Sequence, residues 1–525
     1  MNDSLMHSRR RVLVQGAVIG AGIIASNVSG IVAIAQAQQP PERRSLLGLP
    51  WNDPIIAAYR DAVGQMKQKP DSDKLSWTSL ADIHGTDPNT YHFCPHGNWY
   101  FLPWHRAYVL TCERAVRQLT GHNDFAMPYW DWTANPTMPE VFLTATNPDG
   151  KKNWLYVDDE GFGTNWKRTW PANRPMPISQ VGTAVLQEIL NTTDYEEFGT
   201  SRPAGQDSLD QAWIIAENQG IQGTLEARPH NMVHNNIGGW MPTAVSSRDP
   251  IFFMHHCNID RIWALWNSLG NQNAVNSLWT DMQFKNNFYF PDGSDYSPIV
   301  KELYVPEALG YTYNLAAPAA AIAAPSSAVL ALQSRLQTVF AMPNPAGPGI
   351  KSFSASPRPQ ATATAESPFE VELDVDASAL EAVVHRAPVS SGAELLSFAA
   401  ARERRASGPR AIAIIRDVVA TKVQSTEFRI FLGDDRPTSQ TPITAPGYVG
   451  SFGLFVHGEH ATGQGPHNAN PSFAVDLTGP IQRVYGAMAS LTGRIKLQIL
   501  PVASGGAGEV GTATASKVEV VILGT

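Results

Sequence analysis

Apolar positions recur along this chain in two rhythms, and the change from one to the other divides it. The first half is helical in its spacing. After Asp53-Pro54, an N-cap followed by a proline suited to the first turn, Ile55, Tyr59, Ala62, Val63 and Met66 fall on one helical face. A shorter helical pattern runs from Leu75 to Asp82 and leads into His84. His105, Tyr108, Cys112, Ala115 and Leu119 then recur at helical intervals, which predicts a helix opened by His105 with one side buried. Helix returns before and through His230–His234, and again from Phe252 to Trp266. Between them, Asn135 to Gln211 is rich in Pro, Gly, Asn and Trp and reads as long surface excursions.

Past residue 315 the rhythm breaks. Residues 316–367 are rich in Ala, Pro and Ser, with one short amphipathic piece near Val329–Val339, and read as a linker open to proteases. From Phe369 to Val375 apolar and polar residues alternate, as in a half-buried strand. Ala411–Val419, Glu427–Leu432, Ile495–Leu500 and Val518–Leu523 add further strands. The predicted fold is a mainly α domain over 40–315 joined to an all-β, sandwich-like C-terminal domain over 368–525.

Composition agrees with a large core: 43% of the 525 residues are hydrophobic and 16% charged, against roughly 25% charged in an average soluble domain. A net charge of -8 gives no reason to expect nucleic acid as a partner, and three cysteines cannot form a disulfide framework. The first 37 residues read as an address. Arg9-Arg10-Arg11 precedes an apolar run, Val14 to Ala35, that ends in small residues. This resembles a bacterial twin-arginine signal cut after Ala35 or Ala37, which exports proteins already folded. The competing reading is a membrane anchor, since the run approaches the roughly 20 residues needed to span. The signal reading leaves a periplasmic or secreted protein with no integral anchor after processing.

The histidines supply the candidate chemistry. His84, His96 and His105 form one group among aromatics, with His92 a further candidate, and His230, His234, His255 and His256 form a second. His230 and His234 are one helical turn apart and can share an ion. His255 and His256 are adjacent, so only one faces the metal, and His256 shares a face with Phe252 and Asp260, whose carboxylate could orient its ring. Ordinary hydrogen-bonded histidines would explain any one of these, but not two sets. A zinc hydrolase would usually include a carboxylate ligand. All-imidazole pairs suit redox copper better.

The motifs His84…Cys94-Pro95-His96…Phe101-Leu102-Pro103-Trp104-His105-Arg106, His230-Asn231-Met232-Val233-His234 and Asp249-Pro250-Ile251-Phe252-Phe253-Met254-His255-His256…Asp260-Arg261 resemble the tyrosinase and polyphenol oxidase family. The resemblance implies a four-helix bundle around two copper ions, with long loops. His84, His96 and His105 would bind the first copper and His230, His234 and His256 the second, leaving His255 and Asp260 behind the ligands. It further implies that O2 serves as co-substrate, that monophenols are hydroxylated ortho to their hydroxyl, and that o-diphenols are oxidised to o-quinones. The regions after Trp279 and Phe369 resemble plant-type members, in which a C-terminal β domain covers the site until removed. The cysteines of the plant enzymes' N-terminal disulfides are absent. Within the family pattern Cys94 would form a thioether with His96. Glu226 matches a water-holding carboxylate, and Asn231 the amide that helps make that water basic. Thr243 falls where some relatives carry a bulky gate, and Phe252 and Phe101 are candidate pocket walls. The Tyr448–His457 stretch resembles a plant loop from which an apolar side chain would plug the pocket of a latent precursor. The expected partners are small phenols and an activating protease. A catechol or o-aminophenol oxidase without monophenolase activity is the main alternative, and a haemocyanin-like oxygen carrier a distant one.

Overall fold

Three helices form the scaffold of the first half. Asp53 caps α1 (Pro54–Lys67), its carboxylate accepting from Ile55 N, and Ile56, Tyr59, Ala62, Val63 and Met66 lie buried. The short α2 (Trp77–Asp82) begins at Ser76, whose hydroxyl accepts from Ser79 N. The long α3 (Phe101–Thr120) starts one turn earlier than expected, so His105 sits in its second turn. Pro103 is tolerated there because the first-turn N–H groups have no helical partners to lose. Gly121, at φ 71°, ends α3 in the left-handed conformation that favours glycine.

In the computed structural model the described residues are 39–524 apart from 159, 316–325, 358–361, 387–402, 404, 425, 456–468, 489–490 and 505–508. The leader expected over 1–37 lies outside them. None of the described helices is long and apolar enough to cross a membrane.

The stretch expected to wander over the surface is more ordered than that. It contains α4 (Ile178–Val181), α5 (Thr183–Asn191) and α6 (Tyr195–Phe198), with Ser179, Gln180 and Phe198 buried. Helices of 4 to 9 residues span too few turns to show a period. Strand β1 (Ile221–Gln222) and a wide turn over Glu226–His230 lead into α7 (Asn231–Ile237). Pro229 sits inside that turn, where its missing N–H breaks the usual helical ladder. Packed directly on α3 is α8 (Ile251–Ser268), and the short α9 (Ser277–Thr280) follows. The helices that carry the histidines are therefore unequal: 20 residues in α3 and 18 in α8, but 7 in α7.

The region read as linker is structured over much of its length. It holds α10 (Ser327–Ala341), where the short amphipathic piece was expected, and strand β2 (Ile350–Ala355). Strands β3 (Phe369–Asp374), β4 (Arg410–Arg416), β5 (Thr426–Leu432), β6 (Tyr448–Phe452), β7 (Ser472–Asp476), β8 (Arg494–Ala503) and β9 (Lys517–Leu523) complete two sheets. Their orders are β1-β7-β4-β9-β2 and β6-β5-β8-β3. The two share a core that includes Val371, Ala413, Phe428, Ile430, Phe452 and Val520.

The all-β expectation needs correction, since α10, α11 (Ala377–Val384) and α12 (Thr478–Tyr485) belong to this half. The reason lies in the larger sheet. Ile412, Ile414, Val521 and Leu523 point away from the sandwich core, and Leu332, Leu336, Val339 and Phe340 of α10 cover them. Burial on both faces also explains why β4 is apolar almost throughout rather than alternating.

Residues Pro40–Thr525 form one compact unit, and the first half contributes to the second half's sheet. β1 pairs parallel with β7, Ile221 opposite Ser472 and Gln222 opposite Phe473. Arg410, buried, bridges Glu197 of α6 at 2.6 Å and Asp476 of β7 at 2.8 Å. Gln180 donates to Ser504 Oγ at 3.1 Å. Such contacts hold the β half over the helical one.

Candidate metal centre

Two histidines of the first group, His84 and His105, are aimed by backbone carbonyls. His84 follows α2, and its Nδ1–H donates to Ala244 O at 2.6 Å. His105 Nδ1–H donates to Phe101 O, one turn back on α3, at 2.8 Å. The loop bearing His96 is pinned to the 218–220 segment, where Asn218 N donates to His96 O and Gly220 N to Gly97 O. In the second group His230 Nδ1–H donates to Asn231 Oδ1 at 2.8 Å and His234 Nδ1–H to Met241 O at 2.7 Å.

A neutral imidazole that donates through Nδ1 keeps its lone pair on Nε2. Among the described residues, Nε2 of His84 and of His230 has no hydrogen-bond partner. His234 Nε2 lies 3.1 Å from His256 Nε2, a separation suited to two nitrogens about 2 Å from a common ion. Donor atoms of His84, Cys94, His96 and His105 all lie within 4.8 Å of one another, and so do those of His230, His234, His255 and His256. The two groups abut, with the His105 and His256 rings stacked at 4.1 Å and those of His96 and His230 at 5.5 Å. Burial pushes His84 down to about 4 and His105, His230, His234 and His256 well below the ordinary imidazole range, which keeps these five neutral and available as ligands. Buried, unsatisfied imidazole nitrogens in two sets fit a pair of soft or borderline metal ions.

His255 and His256 differ in their partners. Trp132 Nε1–H donates to His255 Nδ1 at 3.3 Å, which engages that lone pair and puts the ring's proton on Nε2, an atom with no hydrogen-bond partner among the described residues. His256 has no such donor, and its Nε2 faces His234.

Asp260 does not orient His256. Its carboxylate takes Arg106 Nε at 2.5 Å, Arg43 Nη1 at 3.0 Å and the hydroxyls of Tyr311 and Tyr313. Two fully buried guanidiniums outcompete a neutral ring for a carboxylate, and His256 Nδ1 has no hydrogen-bond partner among the described residues. His92 is exposed and bonded to Asp82 O, apart from both groups.

Cys94 is a free, buried thiol, with Sγ 3.6 Å from His96 Nδ1 and 3.4 Å from His105 Nε2. The Phe252 ring packs 4.1 Å from His256 and 5.1 Å from His84, between the groups, and Phe101 lies 4.7 Å from both His105 and His230. Both phenylalanines back the imidazoles and are buried. Thr243 turns its hydroxyl onto Trp240 O, and its neighbour Ala244 supplies the carbonyl that aims His84.

Glu226 is buried beside the second group. Gly97 N donates to its Oε1 at 2.8 Å and the Thr200 hydroxyl meets its Oε2. Burial outweighs both bonds and pushes the carboxyl up to about 8. Asn231 spends its amide protons on Gln222 Oε1 at 2.9 Å and Gly453 O at 2.8 Å.

Over this centre lies the segment after β6. Gly453 N donates to Ala227 O, Asn235 Nδ2 to Leu454 O and Arg228 Nε to Ser451 O. Gly453 is obligatory in this arrangement, because a Cβ there would run into Met232 Sδ. The next residue but one, Phe455, sets its ring 4.8 Å from His234, 4.9 Å from His96 and 5.8 Å from His230. Tyr91 packs 4.6 Å from His96 and stacks on Phe455 at 6.3 Å. Phe455 lies within the Tyr448–His457 stretch, whose sequence did not single it out. Tyr91, Thr200, Gln222 and Trp132 carried no local signal at all.

Comparisons with known proteins bear on the same residues. A family model described as the common central domain of tyrosinase matches residues 74–269. A tyrosinase of Hahella sp. (strain CCB-MM4) is 29% identical over 300 residues, 51% of this chain and 62% of that relative, so less than two thirds of the relative is spanned. A tyrosinase of Streptomyces glaucescens is 32% identical over 220 residues, 39% of this chain and 75% of the relative. Among solved structures, a latent apple tyrosinase aligns with a TM-score of 0.57 at 19% identity, covering 93% of this chain and 98% of that one. At that identity the match establishes the fold, and it extends over both halves.

Proposed function

This chain belongs to the tyrosinase family, and on that premise we propose that it is a latent phenol oxidase holding two copper ions. His84, His96 and His105 bind one ion and His230, His234 and His256 the other. The helices that bring them together serve as the family's helical surround. When bound, the copper pair supplies the two-electron reduction of O2 that no protein side chain can perform. The observation that carries the reading is the convergence of seven buried imidazoles in two abutting groups, with Nε2 of His84 and of His230 lacking a hydrogen-bond partner among the described residues and Glu226 and Asn231 beside them.

The protein's own residues do the rest. A monophenol presents its hydroxyl to a water held by Glu226 and Asn231, and the phenolic proton passes to that water. Overall, one monophenol and one O2 give one o-quinone and one water; two o-diphenols and one O2 give two o-quinones and two waters. Phe252 and Phe101 keep the cage apolar, and Thr243 leaves its mouth unobstructed. Cys94 and His96 form a thioether on first turnover, the two electrons and two protons going to O2. An intact mass lower by two hydrogens after copper loading would report that bond.

Latency rests on Phe455, whose ring occupies the space between the imidazole groups where a substrate ring would lie. Export by the twin-arginine route and cleavage by a protease between residues 315 and 326 complete the reading. Oxygen uptake with tyrosine, catechol and o-aminophenol, before and after that cut and separation of the halves, is the test. Activity that does not rise on separation overturns latency, and separated protein that oxidises catechol without touching tyrosine makes this a catechol oxidase. One observation favours that second reading for the uncut chain: both amide protons of Asn231 are already taken.

A further inference from the structure

Glu226 and Asn231 are each held by a residue outside the metal centre, and those two residues face each other. Thr200 meets the Glu226 carboxylate and Gln222 accepts from Asn231, while Thr200 and Gln222 pair across an isolated antiparallel bridge. Gln222 is buried, donates through Nε2 to Asn218 Oδ1 at 3.2 Å, and lies in β1, which pairs with β7 of the C-terminal half.

An asparagine amide offers two protons and one carbonyl. Asn231 gives its carbonyl to His230, one proton to Gln222 and the other to Gly453 O. Only the bond to Gly453 comes from the segment that carries Phe455. When that segment leaves, one amide proton is freed and the other stays on Gln222. The freed proton then points where the anchored one allows.

We infer that Gln222 is a positioning residue for monophenol hydroxylation: its side-chain oxygen fixes the Asn231 amide so that the proton surrendered by Gly453 can hold the water shared with Glu226. The inference rests on the proposed roles of Glu226 and Asn231. Two different contacts of one segment then act on the site. Phe455 controls entry of any phenol, and the Gly453 carbonyl competes for the amide that monophenols need and o-diphenols do not.

The test uses the copper-loaded chain, whole and after separation of the halves, with p-cresol and 4-methylcatechol as paired substrates. Gln222→Met keeps length but removes the acceptor oxygen, and Gln222→Asn keeps the amide but falls one methylene short. In the separated form each should lower p-cresol hydroxylation by roughly 10–100-fold, as expected for a misplaced catalytic group, with 4-methylcatechol oxidation within about twofold. Gln222→Glu, which retains an acceptor oxygen, should restore most of the p-cresol rate. Copper stoichiometry, and copper affinity by chelator competition, should match the parent in all three. Equal loss of both activities, or a fall in copper affinity, makes Gln222 merely structural and overturns the inference. Asn231→Leu tells the two levels apart. If it spares p-cresol hydroxylation, the reading of Asn231 itself fails; if it abolishes hydroxylation while Gln222→Met does not, only the role of Gln222 fails.

Discussion

Replacing Glu226 with glutamine should stabilise the metal-free protein at alkaline pH while removing the group assigned to the monophenol proton. The carboxyl is fully buried, and burial raises it from its ordinary 4.5 to about 8. A group whose folded-state value is raised binds its proton more tightly in the fold. Its stabilising contribution is complete below 4.5 and is lost as pH rises through 8. Above that pH the fold carries a buried carboxylate, and the gap between the two values corresponds to at most roughly 5 kcal/mol. Glutamine keeps the shape, still accepts from Gly97 N and can meet the Thr200 hydroxyl, but has no proton to lose.

The difference in unfolding free energy between Glu226→Gln and the parent should therefore be small at pH 5. It should grow to several kcal/mol in favour of the variant by about pH 9. Urea denaturation of the metal-free full-length chain at the two pH values measures it. Other raised carboxyls, Glu217 near 8 and Glu196 near 7, titrate in both proteins and cancel in the difference. With copper restored, the variant should lose roughly 100-fold or more in monophenol hydroxylation. An equal stability offset at both pH values would falsify the account of Glu226 as a carboxyl held neutral by burial.

Three further outcomes are expected. Phe455→Ala in the uncut chain should raise catechol oxidation, measured by oxygen uptake, while costing about 3–5 kcal/mol for the lost ring; an unchanged rate would remove Phe455 as the plug. His256→Ala should reduce copper content from two ions per chain and abolish activity, and His255→Ala should retain both ions. The reverse pattern in metal analysis would exchange their roles. Arg410→Ala strands the Glu197 and Asp476 carboxylates at the junction of the halves, a loss of roughly 3–5 kcal/mol for a buried pair. After a cut between residues 315 and 326, the parent halves should co-elute on size exclusion and the variant halves separate; co-elution of both would place the main hold elsewhere.

Much of the scaffold could be read locally because its signals are local. α1 showed its face through Ile55, Tyr59 and Met66 and its start through Asp53, and β3 showed itself by alternation. The spacing of His230, at the end of the wide turn, and His234 in α7 was legible as one helical turn. α10 showed only as a short amphipathic piece and β2 not at all in a stretch of Ala, Ser and Pro, whose small side chains hardly distinguish a sheet-covering helix from a linker. Asp260 was misassigned for a different reason. The ring one turn away on its own helix was visible in the sequence, but Arg43, 217 residues earlier, was not.

The same limit explains why the regulation of the site was the least legible part. β1 has 2 residues and is placed by its bridge to Thr200 on one side and by β7, which follows it by some 250 positions, on the other. From this strand Gln222 reaches Asn231, and the end of β6 delivers Gly453 to the same amide. The histidines could be grouped from spacing because metal ligands must converge whatever the rest of the chain does. The role proposed for Asn231 could not be reached from spacing, because its two amide protons are held by one acceptor from each half of the fold, Gln222 and Gly453. A residue's chemistry is local, but on the proposed reading its availability is set by the contact between the two halves. Separating them, rather than altering any ligand, is the perturbation that should change which phenols the centre accepts.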